Sequence, residues 1–84
     1  MANAKTHGVT LRSIITSSAF RKGYEEAKKG LPLAADGFRY NQVWQYERGR
    51  QFAFCYHGRL KDGNRVRMDA LCALNRAMNA GHVL

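Results

Sequence analysis

The chain is short of several residue types, and each shortage excludes a class of protein. Cysteine occurs only at Cys55 and Cys72, which is too few for a disulfide framework. Two small buried thiols in a reducing compartment fit this usage better than a disulfide does. No segment approaches the ~20 apolar residues that span a bilayer, and the first residues lack the apolar core of a signal peptide. We therefore expect a cytoplasmic protein without a membrane helix.

Acidic residues are also scarce. Six Asp and Glu stand against 14 Lys and Arg, which gives a formal net charge of +8 at pH 7. Such an excess of positive charge keeps a small protein soluble and attracts it to polyanions. The 84 residues are enough for one domain, and an apolar fraction of 45% can supply a modest core.

The apolar residues recur at helical spacing, which predicts an all-α domain over residues 13–84 after a flexible N-terminus over residues 1–12. The first predicted helix covers about residues 14–29, with Ser17 or Ser18 as an alternative cap, and it ends at Gly30. The second covers about residues 42–57 after a cap at Asn41, and the third covers about residues 66–80. Between the last two, residues 59–67 favour a charged loop over a tight hairpin.

Two stretches share one pattern, in which an aromatic residue is followed by a variable residue, a basic residue, Gly, three further residues and Ala. They are residues 20–27 and 46–53. The glycines lie within the predicted helices, where Gly costs about 1 kcal/mol relative to Ala. Both fall on the apolar face, so we expect two antiparallel helices to cross there, with the third helix packed across them. The expected scaffold of the crossing is Phe20, Gly23, Tyr24, Ala27, Tyr46, Gly49 and Ala53.

Catalytic and metal-binding patterns are missing from the sequence. It has no glycine-rich phosphate loop and no Gly-x-Ser-x-Gly, and the adjacent Glu25 and Glu26 point about 100° apart on a helix. The spacing of the candidate metal ligands matches no standard zinc site; these are Cys55, His57, Cys72 and His82. We therefore expect no enzyme, no metal, no cofactor and no small-molecule substrate.

Positive charge is densest over residues 39–67, where seven cations face two carboxylates. Six of the seven are Arg, which pairs with phosphate through two hydrogen bonds and stacks on bases. Aromatic residues are interleaved with them, as unpaired RNA requires. Trp44 lies off the apolar face of its helix, so it either packs locally or forms an exposed platform with Tyr40. The expected binding residues are Arg39, Tyr40, Trp44, Arg48, Arg50, Arg59, Lys61, Arg65 and Arg67.

The two glycine-bearing stretches form a longer motif, Phe20-x-x-Gly-Tyr-x-x-Ala-x-x-Gly30 followed by Trp44-x-Tyr46-x-x-Gly49-Arg-x-x-Ala53. This motif resembles the ribosome modulation factor family, which are small basic bacterial proteins made of two helices. It also looks like short bacteriophage proteins that carry Trp-x-Tyr-Glu-Arg-Gly-Arg. The likeness covers roughly residues 18–56.

The resemblance implies a protein that binds small-subunit ribosomal RNA near the messenger exit region and silences translation. The chain departs from the family in its third predicted helix, in the basic residues 59–67, in Tyr46 where the family carries Trp, and in a linker that is not rich in proline. The matching positions look like scaffold positions, so the resemblance implies the fold more directly than the binding site.

Three functions follow as hypotheses. The first is an RNA-binding protein that acts on the ribosome by occupancy, in the host cytoplasm if a phage encodes it. The second is a phage-type inhibitor that docks on a host enzyme such as RNA polymerase or a nuclease through a basic face anchored by Trp44 and Arg. The third is a helix-turn-helix DNA-binding protein, for which the roughly ten-residue loop after the second helix is long.

Overall fold

The structure, a computed structural model, describes residues 10–84. Its elements in chain order are α1 (Leu11–Ile15), α2 (Ser18–Lys28), α3 (Tyr40–Phe52), β1 (Lys61–Asp62), β2 (Arg65–Val66) and α4 (Met68–Asn79). The domain is thus mostly helical, as predicted, with one short hairpin added. Residues 1–9 of the predicted flexible N-terminus lie outside the described residues, whereas residues 11 and 12 are already helical.

The first predicted helix, 14–29, is wrong as a continuous element because α1 and α2 are separate helices. Thr10 begins α1 through a reciprocal capping pair, in which Thr10 N donates to Ser13 Oγ at 3.0 Å and Ser13 N donates to Thr10 Oγ1 at 3.1 Å. The hydroxyl of Thr16 then donates to the carbonyl of Arg12 as α1 ends. Ser17 then caps the start of α2, because its Oγ accepts a hydrogen bond from Phe20 N. Polar residues that compete for backbone groups therefore divide the segment.

The end of α2 at Gly30 is as predicted. Gly30 has φ of +74°, a conformation that Gly adopts without a Cβ clash. Its N–H donates to Ala27 O at 3.0 Å, and Leu31 N donates to Glu26 O at 2.9 Å. These two bonds form a Schellman motif, which satisfies the last carbonyls of the helix.

The bounds of α3 differ from the predicted 42–57. Arg39 rather than Asn41 is the N-cap, and Arg39 N donates to Gln42 Oε1 at 2.9 Å. The helix ends at Phe52, five residues early, because the carbonyls that follow accept from another element. The buried hydroxyl of Tyr24 donates to the carbonyls of Tyr56 and Gly58, which holds this segment away from helical geometry.

Gly23 and Gly49 lie where α2 and α3 pack against each other. A Cβ built on Gly49 would lie 2.8 Å from the carbonyl carbon of Phe20 and 2.9 Å from Tyr24 N. A Cβ built on Gly23 would lie 3.0 Å from the carbonyl carbon of Tyr46. Because these neighbours are backbone atoms, any side chain at either glycine would force the two helices apart.

The core collects side chains from all four helices that the structure describes, together with Leu60 and Val83. Phe52 lies at its centre, with its ring centroid 5.7 Å from that of Phe20 and 5.6 Å from that of Tyr24. Tyr46 is also fully buried. The remaining core side chains are Ile14, Ile15, Ala19, Ala53, Ala70, Leu74 and Ala77. The third predicted helix, 66–80, is found as α4, which begins two residues later and packs beside α1.

The expectation of a loop over residues 59–67 is wrong, because β1 and β2 pair there as an antiparallel hairpin. Lys61 is opposite Val66, and Asp62 is opposite Arg65. Gly63 turns the chain with φ of +59°. Leu60 is buried and Val66 is partly buried, so one side of the hairpin is attached to the core. The burial of these two side chains explains why residues 59–67 form a hairpin and not a loop.

Both cysteines are exposed, which corrects the expectation of two buried thiols. Cys55 lies in the turn after α3, a segment that the sequence placed inside a helix. Cys72 lies on α4, where Ala70 and Leu74 face the core and the position between them faces solvent. Neither thiol forms a disulfide.

Candidate nucleic-acid interface

The hairpin carries exposed basic side chains, and hydrogen bonds to the rest of the domain hold its two ends in place. Arg59, Lys61 and Arg65 lie on it or next to it, and the side chain of Arg59 is 80% exposed. Its base is fixed by the hydroxyl of Tyr24, which donates to the backbone just before it, and by Arg67 N, which donates to Leu60 O at 2.9 Å. Burial, followed by the neighbouring Tyr56, raises the pKa of Tyr24 to about 12, so this donor keeps its proton at neutral pH.

A groove separates the hairpin from α2, and we call it the α2 groove. Its α2 wall carries Arg21, Glu25 and Lys28, and its other wall carries Arg59 and Lys61. Leu60, Gly63 and the edge of Tyr24 complete the lining. The lining of the groove therefore contains four cations and one carboxylate, that of Glu25. Asp62 also lies 3.8 Å from Arg59 Nη1, through Oδ1, which offsets part of this charge. Cations still outnumber carboxylates around the groove, and an anion bound there would relieve their mutual repulsion.

A second groove, the α1 groove, lies on the other side of the hairpin. It is lined by Arg12 and Thr16 of α1 and by Asn64, Arg65 and Arg67, together with Asp62, Val66 and Met68. Positive charge thus flanks the hairpin on both sides, although this groove contains its own carboxylate.

Arg67 is largely neutralised within the protein. Its guanidinium donates to Asp62 Oδ2 at 2.7 Å and to both carboxylate oxygens of Asp69 at 3.0 Å. The hydrogen bond to Asp69, reinforced by the charge of Asp62, raises the pKa of Arg67, and the same contact lowers the pKa of Asp69. We therefore assign Arg67 a role in orienting the hairpin against the start of α4, and a smaller one in binding.

Arg50 is a scaffold residue in the structure. Its guanidinium donates to Tyr46 Oη at 3.2 Å and to Leu31 O at 2.7 Å, and it lies 3.8 Å from Glu26 Oε1. Tyr46 in turn donates to Glu26 and accepts from Ala34 N. This network fastens the linker between α2 and α3 onto both helices.

The other expected binding residues lie on the outward side of α3, which we call the α3 face. Tyr40 is 83% exposed and Trp44 is 46% exposed, so neither is a core residue. The guanidinium of Arg48 lies 5.4 Å from the centroid of the Trp44 ring and donates to Leu84 O, and burial lowers its pKa. Arg39 is exposed at the start of the same helix.

The structure therefore divides the expected site into two parts. Arg59, Lys61 and Arg65 lie together on the hairpin, whereas Arg39, Tyr40, Trp44 and Arg48 belong to α3. Sequence reasoning missed Arg12, Arg21 and Lys28, which line the grooves. Arg21 and Lys28 do share a helix face with Glu25 at spacings of four and three, but nothing in the sequence placed the hairpin opposite that face.

Within residues 10–84, no group of three or more His, Cys, Asp or Glu side chains is placed to hold a metal ion. Of the candidate ligands considered from sequence, Cys55 and His82 share the lining of a groove beside α4. Across the same described residues, none of the helices has the length and apolar character needed to span a bilayer.

Comparisons with known proteins add no relative: no protein-family model matches the chain, and neither curated proteins nor solved structures give a significant match. The likeness to the ribosome modulation factor family rests on the motif residues alone.

Proposed function

We propose that the protein binds RNA through the basic surface around its hairpin and acts by occupying its target. The proposal rests chiefly on the α2 groove, in which four cations from two separate segments meet with one carboxylate between them. Arginine dominates this surface, and its planar fork suits phosphate oxygens. A groove that offers charge and no catalytic arrangement of side chains favours binding over chemistry.

The α3 face supplies the second component of the proposal. Exposed Tyr40 and Trp44 offer ring surfaces on which unpaired bases stack, at about 1–3 kcal/mol per base. Arg39 beside them would neutralise a neighbouring phosphate, whereas Arg48 holds the Trp44 ring and Leu84 O. The resemblance of the scaffold motif makes the ribosome the first target to test, with ribosomal RNA as the ligand.

The experiment compares two double variants that lose the same charge. Lys61→Gln/Arg65→Gln removes cations from the hairpin, and Lys29→Gln/Arg76→Gln removes exposed cations from the ends of α2 and α4. Affinity for fluorescein-labelled ribosomal RNA fragments is measured by anisotropy. We expect the hairpin variant to bind at least tenfold more weakly than the control variant. Equal affinities would show that only net charge matters, and the proposed interface would be rejected.

One observation favours a second function, an inhibitor that docks on a host nucleic-acid enzyme. Arg48 of the α3 face donates to Leu84, whose side chain is 66% exposed, and Phe54 after the end of α3 is 83% exposed. Aromatic and arginine side chains of this kind anchor protein interfaces. Capture from lysate with and without RNase separates the functions, since RNase abolishes capture through RNA and leaves a direct protein partner bound.

A further inference from the structure

Two features of the hairpin suggest more about the ligand than its charge. The hairpin is narrow, with two residues in each strand and a turn at Gly63 and Asn64. It also has a basic groove on each side, one shared with α2 and one shared with α1. A ligand that receives the hairpin must therefore present negative charge on both of its flanks.

The lining of the grooves also excludes stacking on bases there. Among residues 10–84, the only aromatic residue in the lining of the α2 groove is Tyr24, which is 2% exposed and lies beneath the ammonium of Lys28, 5.0 Å from its ring centroid. The described part of the chain contributes no aromatic residue to the lining of the α1 groove. Proteins that hold single strands in a groove combine cations with stacking platforms. These grooves offer an excess of cations over carboxylates and no exposed ring, which suits a phosphate backbone whose bases are already paired.

We infer that the hairpin enters the minor groove of double-stranded RNA, with the α2 groove and the α1 groove each receiving the phosphate backbone of one strand. The inference rests on the proposed function and specifies its ligand. The minor groove of an RNA duplex is wide and shallow and displays 2′-hydroxyl groups between its two backbones. Asn64 at the exposed turn carries an amide that can exchange hydrogen bonds with those hydroxyls. Recognition is then by shape and charge, and it is independent of sequence.

This geometry assigns binding roles to residues outside the basic stretch of the sequence. Arg21 and Lys28 of α2 contact one backbone, and Arg12 of α1 contacts the other. Glu25, the carboxylate in the α2 groove, lies between the two α2 cations along the helix and limits how many phosphates the groove can hold.

The test measures binding of the full chain to four probes of about 20 nucleotides or base pairs, a length that exceeds the roughly 16 base pairs spanned by known duplex-RNA modules. The probes are an RNA duplex, a second RNA duplex of unrelated sequence, the DNA duplex of the first sequence, and one RNA strand alone. We expect the two RNA duplexes to bind within threefold of each other and at least tenfold more tightly than the DNA duplex or the single strand.

The variant Arg21→Gln/Lys28→Gln is compared with Lys29→Gln/Arg76→Gln, which loses the same charge elsewhere. We expect the groove variant to weaken duplex binding about tenfold and to lower the slope of log K against log salt by about 2. Circular dichroism confirms that both variants fold. Tighter binding to the single strand or to the DNA duplex, or equal loss in the two variants, would overturn the inference. The proposed function would survive that outcome as long as Lys61→Gln/Arg65→Gln still binds RNA more weakly than the control variant does, and it would fail if the two variants bound equally or if no RNA probe bound.

Discussion

Replacing Gly49 by Ala tests the contact on which the whole domain depends. An added Cβ would meet the carbonyl group of Phe20 and the amide nitrogen of Tyr24, at 2.9 Å from the latter. Ordinary van der Waals contact begins near 3.4 Å, and backbone atoms cannot rotate aside as a side chain can. The helices must therefore separate, which loosens the contacts of Phe20 and Tyr24 with Phe52.

The expected magnitude combines two opposing effects. Overpacking a close contact typically costs up to about 3 kcal/mol, and the backbone collision at Gly49 justifies the upper end. Ala is the better helix former by about 1 kcal/mol, which offsets part of that loss. The net loss is about 2 kcal/mol in the free energy of unfolding, which for a domain of this size lowers Tm by roughly 8–16 °C.

The assay is urea denaturation followed by far-ultraviolet circular dichroism. Glu47→Ala is the control, because Glu47 is exposed on the same helix, and it should change stability by less than about 0.5 kcal/mol. The double variant Gly23→Ala/Gly49→Ala should lose less than the sum of the single losses, because one Cβ already separates the helices. If Gly49→Ala stabilised the protein, as helix propensity alone predicts, the reasoning would be refuted.

Three further predictions concern single groups. Tyr24 has a pKa near 12 when folded and near 10 when unfolded, so its contribution to stability is complete below pH 10 and is lost as pH rises from 10 to 12; Tyr24→Phe should reduce that pH dependence in urea titrations. Tyr46→Phe removes a hydroxyl that donates to Glu26 and accepts two further bonds, and should lower stability by about 1–3 kcal/mol, whereas a change near zero would mean that the network is replaceable by water. Cys55 and Cys72 are exposed and free, so both should react with a thiol reagent in the folded protein, and protection of either would contradict its placement.

Local signals in the sequence predicted the helical class, the end of α2 and the glycines at the helix contact. Gly30 followed by Pro32 marks a helix end by backbone geometry alone, and a mid-helix glycine on an apolar face needs a close neighbour to justify it. The end of α2 depends on residues close in sequence, and the position of each glycine on an apolar helix face is visible from local spacing, so both features could be predicted.

The predictions from sequence were wrong where a tertiary contact determines the local structure. The end of α3 is set by Tyr24, whose hydroxyl donates to the carbonyls of Tyr56 and Gly58, 32 and 34 residues further along the chain. The hairpin depends on the burial of Leu60 and Val66 against the core, and the arrangement of that core cannot be predicted from the sequence alone. For the same reason the α2 wall of the candidate site could not be assigned from its residues alone.

The most direct test of the central claim is the salt dependence of RNA affinity in the unmodified protein. About six phosphate contacts, from Arg12, Arg21, Lys28, Arg59, Lys61 and Arg65, give a slope of log K against log salt near −5, so affinity should fall roughly 1000-fold between about 50 and 200 mM salt. Lys61→Gln/Arg65→Gln should make the slope shallower by about 2, and Lys29→Gln/Arg76→Gln should leave it unchanged. An affinity that does not vary with salt, or an absence of RNA binding at low salt, would contradict the account.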